Sequence, residues 1–159
     1  MGRPAIAALV TVMLLAACSS PPASSTDGAE GPAFGRATMV ILAESGEVRL
    51  RVEVADSPAE RARGLMFREE LASDAGMVFL LTEPSTGGFW MKNTVIPLSI
   101  AFWNKDARIH TMLDMVPCEE EPCPVYYPNE AWVGAVEVNP GFFERHGVRV
   151  GDRVRLEQP

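Results

Sequence analysis

The sequence predicts an α+β fold, mainly β, built as an antiparallel sheet or partly closed β-barrel with two short helices. Seven or more short runs of strand character follow one another between residues 37 and 156. One of them alternates cleanly, with Val48, Leu50, Val52 and Val54 opposed to Arg49, Arg51 and Glu53, the period of an antiparallel strand with one solvated face. Helical segments are expected at only two places, and both are short.

Taken in order, residues 37–43 form an apolar run, Glu44-Ser-Gly-Glu47 is a turn, and the alternating run returns from it as a hairpin. Ser57-Pro58-Ala59-Glu60 supplies an N-cap, a proline for the first helical position and a reciprocal capping glutamate. The helix it opens is expected to reach Met66 or Phe67, with Ala62, Leu65 and Met66 inward. Arg61, Arg63 and Arg68 then face outward, with Glu60, Glu69 and Glu70 as available ion-pair partners. Residues 76–81 have strand length, and residues 89–92 are strand-like until Asn93-Thr94 breaks them. Pro97 removes an amide donor, so the next strand starts at Leu98 and runs to Trp103. A turn at Asn104-Lys-Asp106 returns the chain through 107–115. Val125-Tyr-Tyr127 and residues 131–138 are the next strands, and Asn139-Pro-Gly141 turns into a helix over 142–146. Gly147 suits the left-handed position that ends it, and residues 149–156 close the chain as a strand interrupted at Gly151-Asp152.

The amino terminus reads as an address. Arg3, the apolar stretch from Ile6 to Leu15 and the tetrapeptide Leu15-Ala-Ala-Cys18 make residues 1–17 a signal peptide, too short in its apolar part to span a bilayer. The tetrapeptide resembles a bacterial lipobox, which implies lipidation of Cys18; Ser19 after it leans towards the periplasmic side of the outer membrane. Residues 18–36, small and proline-rich, are expected to be a lipidated disordered tether, and residues 37–159 a single globular domain. Loss of Arg3 with the signal leaves 13 basic against 21 acidic side chains, so nucleic acid is disfavoured as a partner. Cys118 and Cys123 then remain as a pair in a Pro- and Glu-rich loop; outside the cytoplasm a disulfide is expected, a reduced redox pair or weak metal site being the alternatives.

The chemistry-bearing stretch is Gly87 to Phe102. Trp90, Lys92, Asn93 and Thr94 place an aromatic face beside hydrogen-bonding tips where the chain bends, as in sites that stack and grip sugars. With Arg63 and Arg68 they are the candidate ligand contacts. The competing reading has Phe89 and Trp90 in the core, with Asn93 and Thr94 bonding their own turn. The methionines read as core filler, His110 as facing solvent and His146 as a structural cation at a helix C-terminus. Because no nucleophile is paired with a base and no ligand cluster gathers, no catalytic residue, metal or cofactor is assigned.

Arg63-Gly-Leu-Met-Phe-Arg68, Gly76-Met-Val-Phe79, Phe89-Trp-Met-Lys-Asn-Thr94 with Ile96-Pro-Leu98, and Val136-Glu-Val with Gly147-Val-Arg-Val-Gly-Asp152 together resemble the family called domain of unknown function 192. The resemblance covers residues 37–156 and implies a small β-barrel-like α+β domain, often exported, without established catalytic activity. Ser99 departs from it, since many members are acidic there; a cation or amine bound through that carboxylate would be held less well. The expected function is that of a lipid-anchored envelope module binding a small ligand, a glycan or a partner protein. A cell-wall enzyme and a structural accessory domain are the alternatives.

Overall fold

The computed structural model describes residues 1–2 and 32–158. The signal sequence from Arg3 onward, Cys18 and most of the tether lie outside the described residues. The domain begins with β1 (Gly35–Ala43) and β2 (Gly46–Ala55), the expected hairpin, joined by Glu44-Ser45 with Ala43 opposite Gly46. α1 (Pro58–Arg63) follows, opened by the expected capping box: the Glu60 amide donates to the Ser57 hydroxyl at 3.3 Å and the Ser57 amide to the Glu60 carboxylate at 2.9 Å.

The helix is shorter than its pattern suggests. Gly64, at φ 46°, leaves the helical path, so Leu65 is buried while Ala62, expected inward, is exposed. Its arginines also find other partners. Arg61 donates to the Leu80 carbonyl at 3.0 Å, Arg63 lies 4.8 Å from the Phe67 ring centroid, and Arg68 pairs with Glu53. Glu60 is committed to the cap, which removes it as an ion-pair partner.

β3 (Ala75–Ser85) runs parallel to β2, the one departure from an antiparallel arrangement. The stretch 56–74, with α1 inside it, is the long crossover a parallel pair needs. β4 (Phe89–Trp90), β5 (Leu98–Trp103), β6 (Ile109–Met115), β7 (Val125–Tyr126) and β8 (Trp132–Val138) follow, then α2 (Phe142–Arg145) and β9 (Arg153–Glu157). Seven strands make one mixed sheet in the order β6-β5-β8-β3-β2-β1-β9, while β4 and β7 pair separately. The sheet is not closed into a barrel. An isolated antiparallel bridge between Arg108 and Arg153 ties its two ends, with the Ile109 amide donating to the Asp152 carbonyl at 2.9 Å.

Alternation along the central strands gives the sheet two packed faces. On one, Val136 and Val138 of β8 join Met39, Ile41, Leu50, Phe142 and Phe143; on the other, Ala135 joins Phe79, Met91, Leu98 and Phe102. Burying side chains of this size contributes about 1.5–3 kcal/mol each. Met39, Met77, Met91 and Met115 are all buried, as gap-filling requires. Gly134 is dictated by packing, because a Cβ there would lie 2.1 Å from the Trp103 indole. Gly147 takes φ 68°, its amide donating to the Glu144 carbonyl at 3.1 Å to end α2, and His146 Nδ1 lies 2.8 Å from the Phe142 carbonyl oxygen.

Candidate functional site

The stretch from Gly87 is held from both sides. The Trp132 indole donates to the Gly87 carbonyl at 2.8 Å, and a Cβ on Gly88 would come within 2.6 Å of the Tyr126 carbonyl, so β4 can close on β7 only with glycine there. Phe89 points inward and packs edge-on against Phe79 and Phe102, at centroid distances of 4.9 and 5.5 Å. Trp90, its neighbour on a two-residue strand, turns the other way and is 52% exposed. The two aromatics therefore divide the competing readings: Phe89 is core, Trp90 is surface.

Between them lies a small recess of about 40 Å³, lined by Arg61, Arg63, Phe79, Trp90, Thr94 and Glu137 among others. Space of this size admits a few water-sized groups. Its chemical centre is Glu137, only 5% exposed, which opposes Met77 on β3 and Ile100 on β5. By alternation with Val136 and Val138, its carboxyl points into the Phe79–Phe102 face of the core. Burial pushes its pKa up from 4.5 to about 8, so at neutral pH it is a protonated acid able both to donate and to accept.

Sequence reasoning missed Glu137, although a signal was there. It is the one charged residue in the run Ala131–Val138, at a position where a central strand's period demands an apolar side chain.

Of the residues singled out beforehand, the structure brings Arg63, Trp90 and Thr94 to this recess. Lys92 instead pairs with Glu121 at 2.6 Å, its ammonium 5.6 Å from the Trp90 ring centroid. That pairing docks the cysteine loop beside Trp90; the Cys118 and Cys123 sulfurs are at bonding distance, with Cα atoms 5.5 Å apart. Asn93 acts through its backbone: at φ 58° its carbonyl accepts from the Phe67 amide at 2.8 Å, and Phe67 is itself left-handed at φ 64°. A bulky residue in that region stores strain, so this clasp is held by its surroundings. Arg68 lies elsewhere, against Glu53.

Two further residues are placed by the fold. Ser99 is buried away from the Trp90 loop, its hydroxyl bonded to Asp114 and accepting from the Gly141 amide at 3.2 Å, on the strand face opposite Ile100. His110 does not simply face solvent: its Nε2 is buried with no partner, Nδ1 is 2.9 Å from the Thr111 hydroxyl, and desolvation lowers its pKa against the opposing pull of Glu130. No group of three His, Cys, Asp or Glu side chains among the described residues could hold a metal ion. Nor is any helix among them long and apolar enough to cross a membrane.

Fold and recess together define a small, mainly β domain whose one buried ionisable side chain among the described residues is the Glu137 carboxyl. The chain belongs to the family DUF192, described as an uncharacterised ACR family, which matches residues 40–156. It is similar to the crystal structure of a provisionally assigned transcription regulator from Sinorhizobium meliloti 1021, at 33% identity and a TM-score of 0.73, covering 79% of this chain and 96% of that one. It is also similar to a protein of unknown function from Novosphingobium aromaticivorans DSM 12444, at 32% identity and a TM-score of 0.71, covering 87% of this chain and 94% of that one. The comparison with curated proteins returned no match.

Proposed function

We propose that this protein is a non-enzymatic binding module of the cell envelope, anchored by lipid at Cys18, that takes a polar group of a small ligand or glycan into the recess over Glu137. The observation that carries this reading is a nearly buried carboxyl lining the same recess as an exposed tryptophan, with burial raising the pKa of that carboxyl to about 8. A neutral acid offers one donor and an acceptor to a hydroxyl or amide, and the Trp90 face offers stacking to a flat ring. This pairing of functions suits a sugar unit. Retention of Glu137 as an uncharged acid avoids the cost of holding a bare carboxylate in the core while the recess is empty.

Hydrolysis of a glycan calls for a second carboxyl roughly 5–9.5 Å from the first. The recess lining contains Glu137 and no other carboxylate, histidine or cysteine, which favours binding over turnover. The transcriptional assignment of the Sinorhizobium relative is not carried over, because a net charge of −7 works against attraction to phosphate backbones.

The test is a thermal-shift and titration panel of glycans and peptidoglycan fragments on wild type, Trp90→Ala and Glu137→Gln. A ligand that stabilises the wild type should lose at least tenfold in affinity in Trp90→Ala, whose own melting temperature stays within a few degrees because Trp90 is largely exposed. Binding that is indifferent to both substitutions would sink the proposal.

A further inference from the structure

The recess is not the largest concavity of the described residues. A groove of about 390 Å³ lies along the β1–β2 flank, under the connection from α1 to β3, and shares no lining residue with the recess. Its volume falls in the range of sites that hold small organic molecules, roughly 300–1,000 Å³. The strand register explains its composition. Arg36 is opposite Glu53 and Thr38 opposite Arg51, so alternation puts all four side chains on one face. Arg68 comes in from the loop after α1 and grips Glu53. Leu71, half-buried, and the stems of the arginines supply apolar wall.

The electrostatics are unusual for this chain. It has 14 basic against 21 acidic side chains, yet the groove gathers three arginines against a single lining carboxylate. Arg36 has no ion-pair or hydrogen-bond partner among the described residues. Arg51 reaches Asp74 at 2.8 Å, but with side chains 73% and 58% exposed that pair is weak and easily exchanged for a better anion. Arg68 is held by Glu53 and therefore pre-positioned, with guanidinium donors to spare. Three arginines lining one groove beside apolar wall match a planar or tetrahedral oxyanion attached to a hydrocarbon body.

We infer that this groove is a second binding site, separate from the recess, for an amphiphilic organic anion: a carboxylate or phosphate head held by Arg36, Arg51 and Arg68, with an apolar body laid against Leu71. Both a free alkyl anion and the headgroup of an anionic lipid carry this chemistry.

The experiment uses the purified chain from Ser19 on, which carries neither signal nor lipid and keeps every strand and helix described, and octyl phosphate below its micellar concentration, followed by calorimetry and by amide chemical shifts of residues 36–38 and 51–53. Saturable binding is expected, at least tenfold tighter than inorganic phosphate and reduced at least tenfold in an Arg36→Ala/Arg51→Ala variant. Both arginines are exposed, so that variant keeps its fold, which an unchanged melting temperature verifies; Arg68→Lys, which keeps charge but loses the fork, should weaken binding several-fold. Vesicles containing phosphatidylglycerol, tested on the same variants, identify the source: capture lost with the arginines marks a lipid headgroup, and octyl phosphate binding without vesicle capture marks a soluble anion. Failure of octyl phosphate to bind, equal binding of octyltrimethylammonium, or binding unchanged in the double variant would each overturn the inference.

Discussion

Replacing Glu137 with Gln keeps the shape of the side chain and removes its ionisation. In the folded protein burial raises the carboxyl from 4.5 to about 8, so the native state holds a proton that the unfolded chain releases. Stability must then fall as pH rises through that window, at about 1.4 kcal/mol per pH unit. The native carboxyl's cost is absent below pH 4.5, about 3 kcal/mol at neutral pH and roughly 5 kcal/mol once the pH passes about 8. The Gln variant escapes it. Urea denaturation of both proteins at intervals between about pH 4.5 and about pH 8.5 gives the difference directly. Other groups act on each curve: the Glu60 carboxyl is held low by the Ser57 amide and the Glu157 carboxyl by Arg49, so both contribute above their unfolded values and lose that as pH falls. His110, pushed down by burial, adds stability as pH rises. These contributions are common to the two proteins and cancel. The stability advantage of Glu137→Gln should grow steadily from near zero in acid to several kcal/mol in base; a difference that stays flat with pH would refute the buried neutral acid.

Two other outcomes are expected. Asn93 holds a left-handed backbone, so Asn93→Ala should cost about 1 kcal/mol in urea denaturation and Asn93→Gly close to nothing; equal stability of wild type and the alanine variant would remove that account. Lipidation at Cys18 should make electrophoretic mobility sensitive to blockage of lipoprotein signal processing, and an unchanged band would exclude the anchor.

Much of the sheet was legible in the sequence because one rule governed each part of it. The run from Leu98 to Trp103 has the predicted bounds, since Pro97 removes a donor on one side and Asn104 starts a turn on the other. The capping box at Ser57 was readable because its partners are local. The parallel pairing of β2 with β3 was not, since nothing in either strand states its neighbour's direction. The candidate site divided along the same line. Trp90 and Thr94 drew notice through their own loop, whereas Glu137 becomes a site residue only when β8 lies between β3 and β5 and the α1 exit covers it. The partner of Lys92 was hidden for a related reason: Glu121 belongs to the cysteine loop and meets it only in the fold.

The tie between Arg108 and Arg153 bears on how this domain behaves in company. An open seven-stranded sheet has two margins, and each unpaired margin is a template on which another chain can add a strand. Here the last strand is five residues long and carries Arg153, Arg155 and Glu157 at alternate positions, and backbone hydrogen bonds from Ile109 and Val154 engage the two margins with each other at one end. At that end the two margins cover each other, so the backbone left bare for a neighbouring copy to extend is confined to the rest of β6 and β9.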